Sequence, residues 1–171
     1  MSEFTLSPGS VSLDELFRIY RQMASIKLNP ICKTQVEHAA LQVEVAAKGD
    51  TAIYGVNTGF GKLANNKIAL EETSLLQRNL ILSHCCGVGS SISTQMSRLI
   101  LVLKLLSLGR GASGVRWEII ELMENMLSIG VTPIIPSQGS VGASGDLSPL
   151  AHMSAVLIGE GEAEYRGKKM P

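Results

Sequence analysis

From Ser93 to Leu108 the chain is apolar almost all the way round a helical wheel, broken at Lys104 and halted by Gly109-Arg110-Gly111. A helix without a polar face has to be surrounded by other elements. The run Leu99–Leu108 is also too short to cross a bilayer. It therefore predicts a buried helix, with the rest of the chain wrapped around it. Aromatic residues make up only 4% of the 171 residues while 45% are hydrophobic, which favours helix packing over a β-sandwich. Fifteen basic and fifteen acidic side chains cancel. That balance argues against nucleic acid or a membrane surface as partner and points to a small molecule or another protein. Three cysteines and three histidines are scattered without metal-ligand spacing, so no metal is expected and the thiols read as reduced. The start, Met1-Ser2-Glu3-Phe4, has neither the basic nor the apolar region of a leader, and a cytoplasmic location is expected.

The remaining periodicity is also mainly helical. Ser12 with Glu15 forms a capping box, and Leu13, Leu16, Phe17, Tyr20 and Met23 follow at helical spacing. A second helix is predicted from Thr34, again with an acidic residue three places on at Glu37, to a stop at Gly49. Ala52-Ile53-Tyr54 reads as extended, and Val56 to Asn66 as a glycine- and asparagine-rich loop. Helices are predicted over 71–85, 93–108, 115–129 and 147–158. Thr132 to Pro136 must be extended, because each proline disfavours helix at the residue before it. Glu164-Tyr165-Arg166-Gly167-Lys168 signals a hairpin. The predicted class is mainly α, one domain over residues 1–171, with short extended segments and two glycine-rich loops.

Those loops carry the chemistry. The first is Tyr54-Gly55-Val56-Asn57-Thr58-Gly59-Phe60-Gly61, where the glycines permit close approach of backbone to a ligand and Tyr54 offers a phenol. In the second, Gly139, Gly142 and Gly145 alternate with Ser137, Ser140, Ser144 and Ser148. Four chemistries compete there. A phosphate loop needs a lysine where Asp146 stands. A hydrolase elbow needs Gly-x-Ser-x-Gly, and Gly142-Ala143-Ser144-Gly145-Asp146 lacks its second glycine. An anion nest at a helix start remains open. So does a main-chain cyclisation. In Ala143-Ser144-Gly145 the unhindered glycine nitrogen can attack the Ala143 carbonyl, and loss of that water closes a five-membered ring. Loss of the Ser144 hydroxyl as a second water then leaves an exocyclic alkene, an electrophile.

Together, Tyr54 to Gly61 and Gly139-Ser-Val-Gly-Ala-Ser-Gly-Asp-Leu-Ser-Pro-Leu-Ala-His152 resemble the aromatic amino acid ammonia-lyases. Ser83-His84 followed by Gly87-Val88-Gly89 makes the chain most similar to the histidine-specific members. The resemblance implies the helical amino-terminal domain of the fumarase/aspartase-like ammonia-lyase fold. It implies that Ala143, Ser144 and Gly145 form a 4-methylidene-imidazol-5-one (MIO) group, supported by Asp146. It implies Tyr54 as base or proton relay, Gly61 near the substrate and His84 facing the substrate's ring. The implied reaction is elimination of ammonia from L-histidine to trans-urocanate, in a homotetramer. Tyrosine or phenylalanine lyases and aminomutases share these motifs. A non-catalytic helical interaction domain is the reading from a different class. The resemblance covers only the amino-terminal part of such enzymes. The 171 residues alone are therefore expected to lack turnover, and to leave the triad uncyclised. His152 is expected to support the site from behind, and Cys85 and Cys86 to pack.

Overall fold

The computed structural model describes residues 3–142 and 145–171. In chain order the elements are β1 (Glu3–Leu6), α1 (Leu13–Arg21), β2 (Ser25–Leu28), α2 (Cys32–Lys48), a 3-10 turn (Gly61–Leu63) and α3 (Leu70–His84). They continue with β3 (Val88–Ser91), α4 (Thr94–Leu108), α5 (Trp117–Ile129), β4 (Val131–Pro133), β5 (Pro136–Gln138), α6 (Leu147–Leu157), β6 (Ala163–Tyr165) and β7 (Lys168–Met170). The chain is mainly helical, as its composition predicts. Among the described residues no helix is long and apolar enough to cross a membrane.

The oily run forms the central helix. Ser93 caps α4 by accepting the Met96 N–H at 3.2 Å. Leu101, Val102 and Leu105 then bury fully against Ile120, Met123 and Leu127 of α5, with Ile26, Leu28 and Met153 closing the core. Arg98 sits in the same core at 2% exposure. Its Nη1 donates to the Leu127 carbonyl at 2.8 Å, and its Nη2 donates to the Ala24 carbonyl. One guanidinium thus joins α4 to the end of α5 and to the chain entering β2. Burial holds its pKa below the ordinary arginine value. Glu124, also buried, accepts the Leu28 N–H at 2.7 Å and lies 3.7 Å from Lys27 Nζ.

Several expectations change at the edges. The capping box at Ser12 forms in both directions, so α1 starts where predicted. Its inward residue, however, is Ile19, while Leu13 is 83% exposed and Phe17 faces solvent. The second helix starts at Cys32 behind Ile31, which makes no side-chain cap, so the Thr34–Glu37 pair lies inside it instead of at its start. Ala52 to Tyr54 is not a strand. Ile53 opens a tight turn in which its carbonyl accepts the N–H groups of Val56 and Asn57. The pairing of β1 with β2 is parallel, with Glu3 opposite Ser25 and Leu6 opposite Leu28, and α1 is the crossover between them. The pairing of β3 with β5 is antiparallel. The 164–168 hairpin forms as predicted, with Arg166 and Gly167 both at positive φ.

Candidate active site

The first glycine-rich loop is shaped around one amide. Asn57 is 1% exposed. Its Oδ1 accepts the Ile53 N–H at 2.7 Å, while its Nδ2 donates to the carbonyls of Thr51 at 3.0 Å and Ala46 at 3.4 Å. Its own carbonyl accepts the Ile68 N–H at 2.9 Å, and Gly59 N–H donates to Asn66 O at 3.1 Å. These bonds tie the loop to the end of α2 and close it on itself. Tyr54 and Phe60 then meet edge to face, their ring centres 5.7 Å apart. Nothing in the sequence reading singled out Asn57. Its signal is an amide among small residues, the pattern in which a side chain replaces missing backbone partners.

The second loop explains its small residues by close approach. A Cβ on Gly139 would lie 2.7 Å from Ser148 Oγ and 3.2 Å from Gly87 Cα. A Cβ on Gly87 would lie 3.0 Å from His152 Nε2 and 3.1 Å from Pro136 Cβ. The β3–β5 pair can therefore lie directly on the start of α6. His152 fastens the contact, its Nε2 accepting the Gly87 N–H at 3.1 Å, so the neutral ring carries its proton on Nδ1.

Burial holds the His152 pKa below the usual value of 6.5. The unfolded chain therefore binds the proton more tightly than the folded one. The stability contribution is complete above the unfolded value, and is lost as pH falls through it toward the lower folded value. Thermal unfolding followed from about pH 7.5 to 5 should show a steeper loss of Tm in the wild type than in His152→Gln. Equal slopes would remove His152 from this role.

Past this contact, Gly145 has φ +93° and Asp146 has φ +38°. Asp146 is the residue before α6, and among the described residues its buried Oδ1 has no hydrogen-bond partner. Ala143 and Ser144 lie outside the described residues.

α3 packs along α6 and brings His84 to its own carboxyl-terminal end. The His84 Nδ1 lies 2.7 Å from the Leu80 carbonyl. A carbonyl only accepts, so Nδ1 carries a proton, with Ser83 Oγ also 3.2 Å from it, and in the neutral ring Nε2 is left as an acceptor. The neighbouring Cys85 donates its thiol to the Ile81 carbonyl at 3.3 Å, and burial, with Cys86 beside it, raises its pKa. It is a packed thiol, not a nucleophile.

A cavity of about 510 Å³ opens where these pieces meet. Tyr54 and Phe60 line it from the first loop, Leu80, Ile81 and His84 from α3, Gly145 from the second loop, and Leu147, Leu150, Ala151 and Ser154 from α6. Lys104 of α4 completes the lining. Three of the residues named from sequence, Tyr54, His84 and Gly145, thus share one cavity. Gly61 does not line it, and its neighbour Phe60 does. Phe60 and Lys104 are lining residues to which the sequence reading gave no role in the site. A larger groove of about 680 Å³ between α2 and the start of α5 is lined by residues such as Leu41, Glu44 and Trp117. Among the described residues that groove is lined by none of the residues named from sequence as site candidates.

Residues 11–171 match the family described as aromatic amino acid lyase. Among solved structures, the chain is similar to tyrosine aminomutase from Streptomyces globisporus, with 30% identity and a TM-score of 0.89 over 98% of this chain and 32% of that one. It is similar to histidine ammonia-lyase from Trypanosoma cruzi, at 29% identity and a TM-score of 0.84 over 99% of this chain and 32% of that one. Phenylalanine aminomutase from Pantoea agglomerans gives 29% and 0.89, again over 99% and 32%. The chain spans about a third of the length of these solved structures.

Proposed function

Because the chain belongs to the aromatic amino acid lyase family, we propose that the polypeptide carrying it eliminates ammonia from L-histidine to give trans-urocanate. This chain supplies the amino-terminal part of the site, within a homo-oligomer. The observation that carries the reading is the convergence of Tyr54, His84 and Gly145 on one cavity from three distant segments.

Gly145, the described member of the triad, fits the MIO group that the family resemblance implies. Gly145 adopts a positive φ suited to glycine, and a Cβ there would meet nothing within 4 Å, so the backbone of the triad's third member is uncrowded and opens on the cavity. Ala143, Ser144 and Gly145 would hold it, and once formed it supplies an electrophile that no ordinary side chain offers. The chain's own residues do the rest. Tyr54 lines the cavity and is assigned as the base or proton relay for the substrate's β C–H. Phe60, Leu80, Ile81, Leu147 and Leu150 give the substrate an apolar enclosure. Tyr54 is 64% exposed, so this span does not by itself keep water from the phenol. Turnover is accordingly assigned to the whole polypeptide.

His84 supports the choice of substrate. With Nδ1–H committed to Leu80, its Nε2 asks for a donor on the substrate ring. An imidazole N–H or a phenol O–H supplies one, whereas phenylalanine leaves a desolvated acceptor unpaired. A site built around such a bond rejects the analogue lacking it by about 10⁴-fold in favourable cases. Similarity of Ser83 to Gly89 to the histidine-specific members favours imidazole over phenol.

The test is product analysis of the full-length polypeptide, where urocanate absorbance should rise with L-histidine. A higher kcat/KM on L-tyrosine would replace the imidazole reading, and a β-amino acid product would indicate an aminomutase. His84→Phe is expected to cut kcat/KM for L-histidine by about 100-fold or more and to raise that for L-phenylalanine.

A further inference from the structure

We propose that His152 is a positioning residue that couples the two ends of this site, holding the segment that follows His84 against the helix that follows the second glycine-rich loop. The inference rests on the amino acid lyase reading above and deepens it, since His152 acts on the cavity without lining it.

The connectivity carries the argument. His84 ends α3, and Gly87 then leads directly into β3. β3 pairs with β5, Val88 opposite Gln138, and β5 runs straight into the second loop at Gly139. The β3–β5 pair is therefore tethered to His84 through one strand and to the leading end of the loop through the other. The trailing end of the loop is α6, which follows Asp146 and lines the cavity with Leu147, Leu150, Ala151 and Ser154. The bond from Gly87 N–H to His152 Nε2 crosses from the pair to that helix. One half-buried side chain thus sets where His84 and the leading end of the loop stand relative to its trailing end.

Packing alone would not do this. The close approach at Gly87 and Gly139 brings the surfaces together, but apolar contact has no preferred direction. The other polar atom at the contact, Ser148 Oγ, is buried and has no hydrogen-bond partner among the described residues. The imidazole is what gives the contact a direction, because a hydrogen bond weakens steeply when donor and acceptor leave their line. A reacting constellation has to be held to within about 0.5 Å. A misplacement of about 1 Å, caused by a change away from the chemistry, can cost about 100-fold in rate.

The experiment compares wild type, His152→Gln, His152→Leu and Gly87→Ala in the full-length polypeptide. Glutamine offers an acceptor oxygen in place of Nε2, and leucine offers none. The alanine Cβ would lie 3.0 Å from Nε2 and so crowds the bond while leaving the imidazole in place. Two quantities are read: steady-state kinetics, and amide hydrogen exchange over residues 85–91 and 137–142. In His152→Leu, kcat is expected to fall by about 10- to 100-fold while KM changes less. Exchange quickens in both segments together, and His152→Gln restores most of the rate and the protection. Gly87→Ala gives the same pattern as His152→Leu. The double variant is no worse than either single one, because both remove one and the same bond. Wild-type kcat and exchange in His152→Leu overturn the proposal. So do a glutamine variant as impaired as the leucine one, faster exchange confined to residues 85–91, and additive losses in the double variant. If His152→Leu does not fold, Gly87→Ala and His152→Gln decide the matter by the same two readouts. If wild type turns over no aromatic amino acid, the lyase reading fails by itself, and the exchange of these variants alone decides the coupling.

Discussion

Replacing Ser144 by alanine is expected to silence the full-length polypeptide, with kcat falling by about three orders of magnitude or more. The argument is chemical. Ammonia is a poor leaving group and the β C–H is weakly acidic, so elimination needs an electrophile that ordinary side chains do not supply. Closing the Ala143-Ser144-Gly145 ring removes one water, and losing the Ser144 hydroxyl removes a second. Alanine has no hydroxyl to lose, so a ring without the alkene is the most it can form. Intact mass provides a readout independent of activity: the wild type should weigh two waters less than its sequence, and Ser144→Ala at most one less. The backbone turns left-handed at the end of the triad and just after it, with φ +93° at Gly145, which a glycine accommodates, and φ +38° at Asp146. A left-handed conformation at a residue with a Cβ costs about 1–2 kcal/mol. Here it immediately precedes α6, which must hold it. A catalytically competent Ser144→Ala protein, or an active wild type at full unmodified mass, would overturn the electrophile assignment.

The largest stability effect is expected at Arg98. Its guanidinium satisfies the Leu127 carbonyl in the last turn of α5, one of the acceptors that every helix leaves without an internal partner. It also places positive charge at the negative end of that helix dipole. The same group bonds Ala24 at the entrance to β2. Arg98→Met keeps much of the volume but leaves two buried carbonyls without donors. Each stranded group costs about 1–3 kcal/mol, so a loss of about 3–5 kcal/mol is expected in urea unfolding. Arg98→Lys should recover only part of it, since one ammonium lacks the planar fork that reaches both acceptors. A loss below about 1 kcal/mol for Arg98→Met would mean that water or relaxation replaces both bonds.

What the sequence disclosed follows the range of the forces involved. The Ser12 capping box, the Gly130 stop after α5, the central oily helix and the Arg166-Gly167 turn are local, set by residues within a few places of each other. The parallel β1–β2 pair was not legible, because four-residue strands separated by a helix leave no periodic trace. The same holds for β3, a strand hidden in Val88-Gly89-Ser90-Ser91. Nothing in the sequence reading marked Arg98, and only the fold brings the Leu127 and Ala24 carbonyls to it. At the site, composition and spacing left two of the four chemistries weighed for the second loop open, an anion nest and a main-chain cyclisation. The resemblance chose among them, and the fold adds that Tyr54, His84 and Gly145 face one cavity. Lys104 was legible as the break in the apolar run of α4, and only the fold shows that it lines the cavity. Phe60 was given no role because attention went to the glycine beside it.

The Asn57 loop has a use beyond holding Tyr54. Its hydrogen bonds run among residues 46 to 68, so it behaves as a self-braced cassette. His84, which lines the same cavity, belongs to a different element, the end of α3. Phe60 of the cassette and His84 line the same cavity, so substitutions at the two are expected to couple through whatever fills it, and libraries should diversify them together, not in separate rounds.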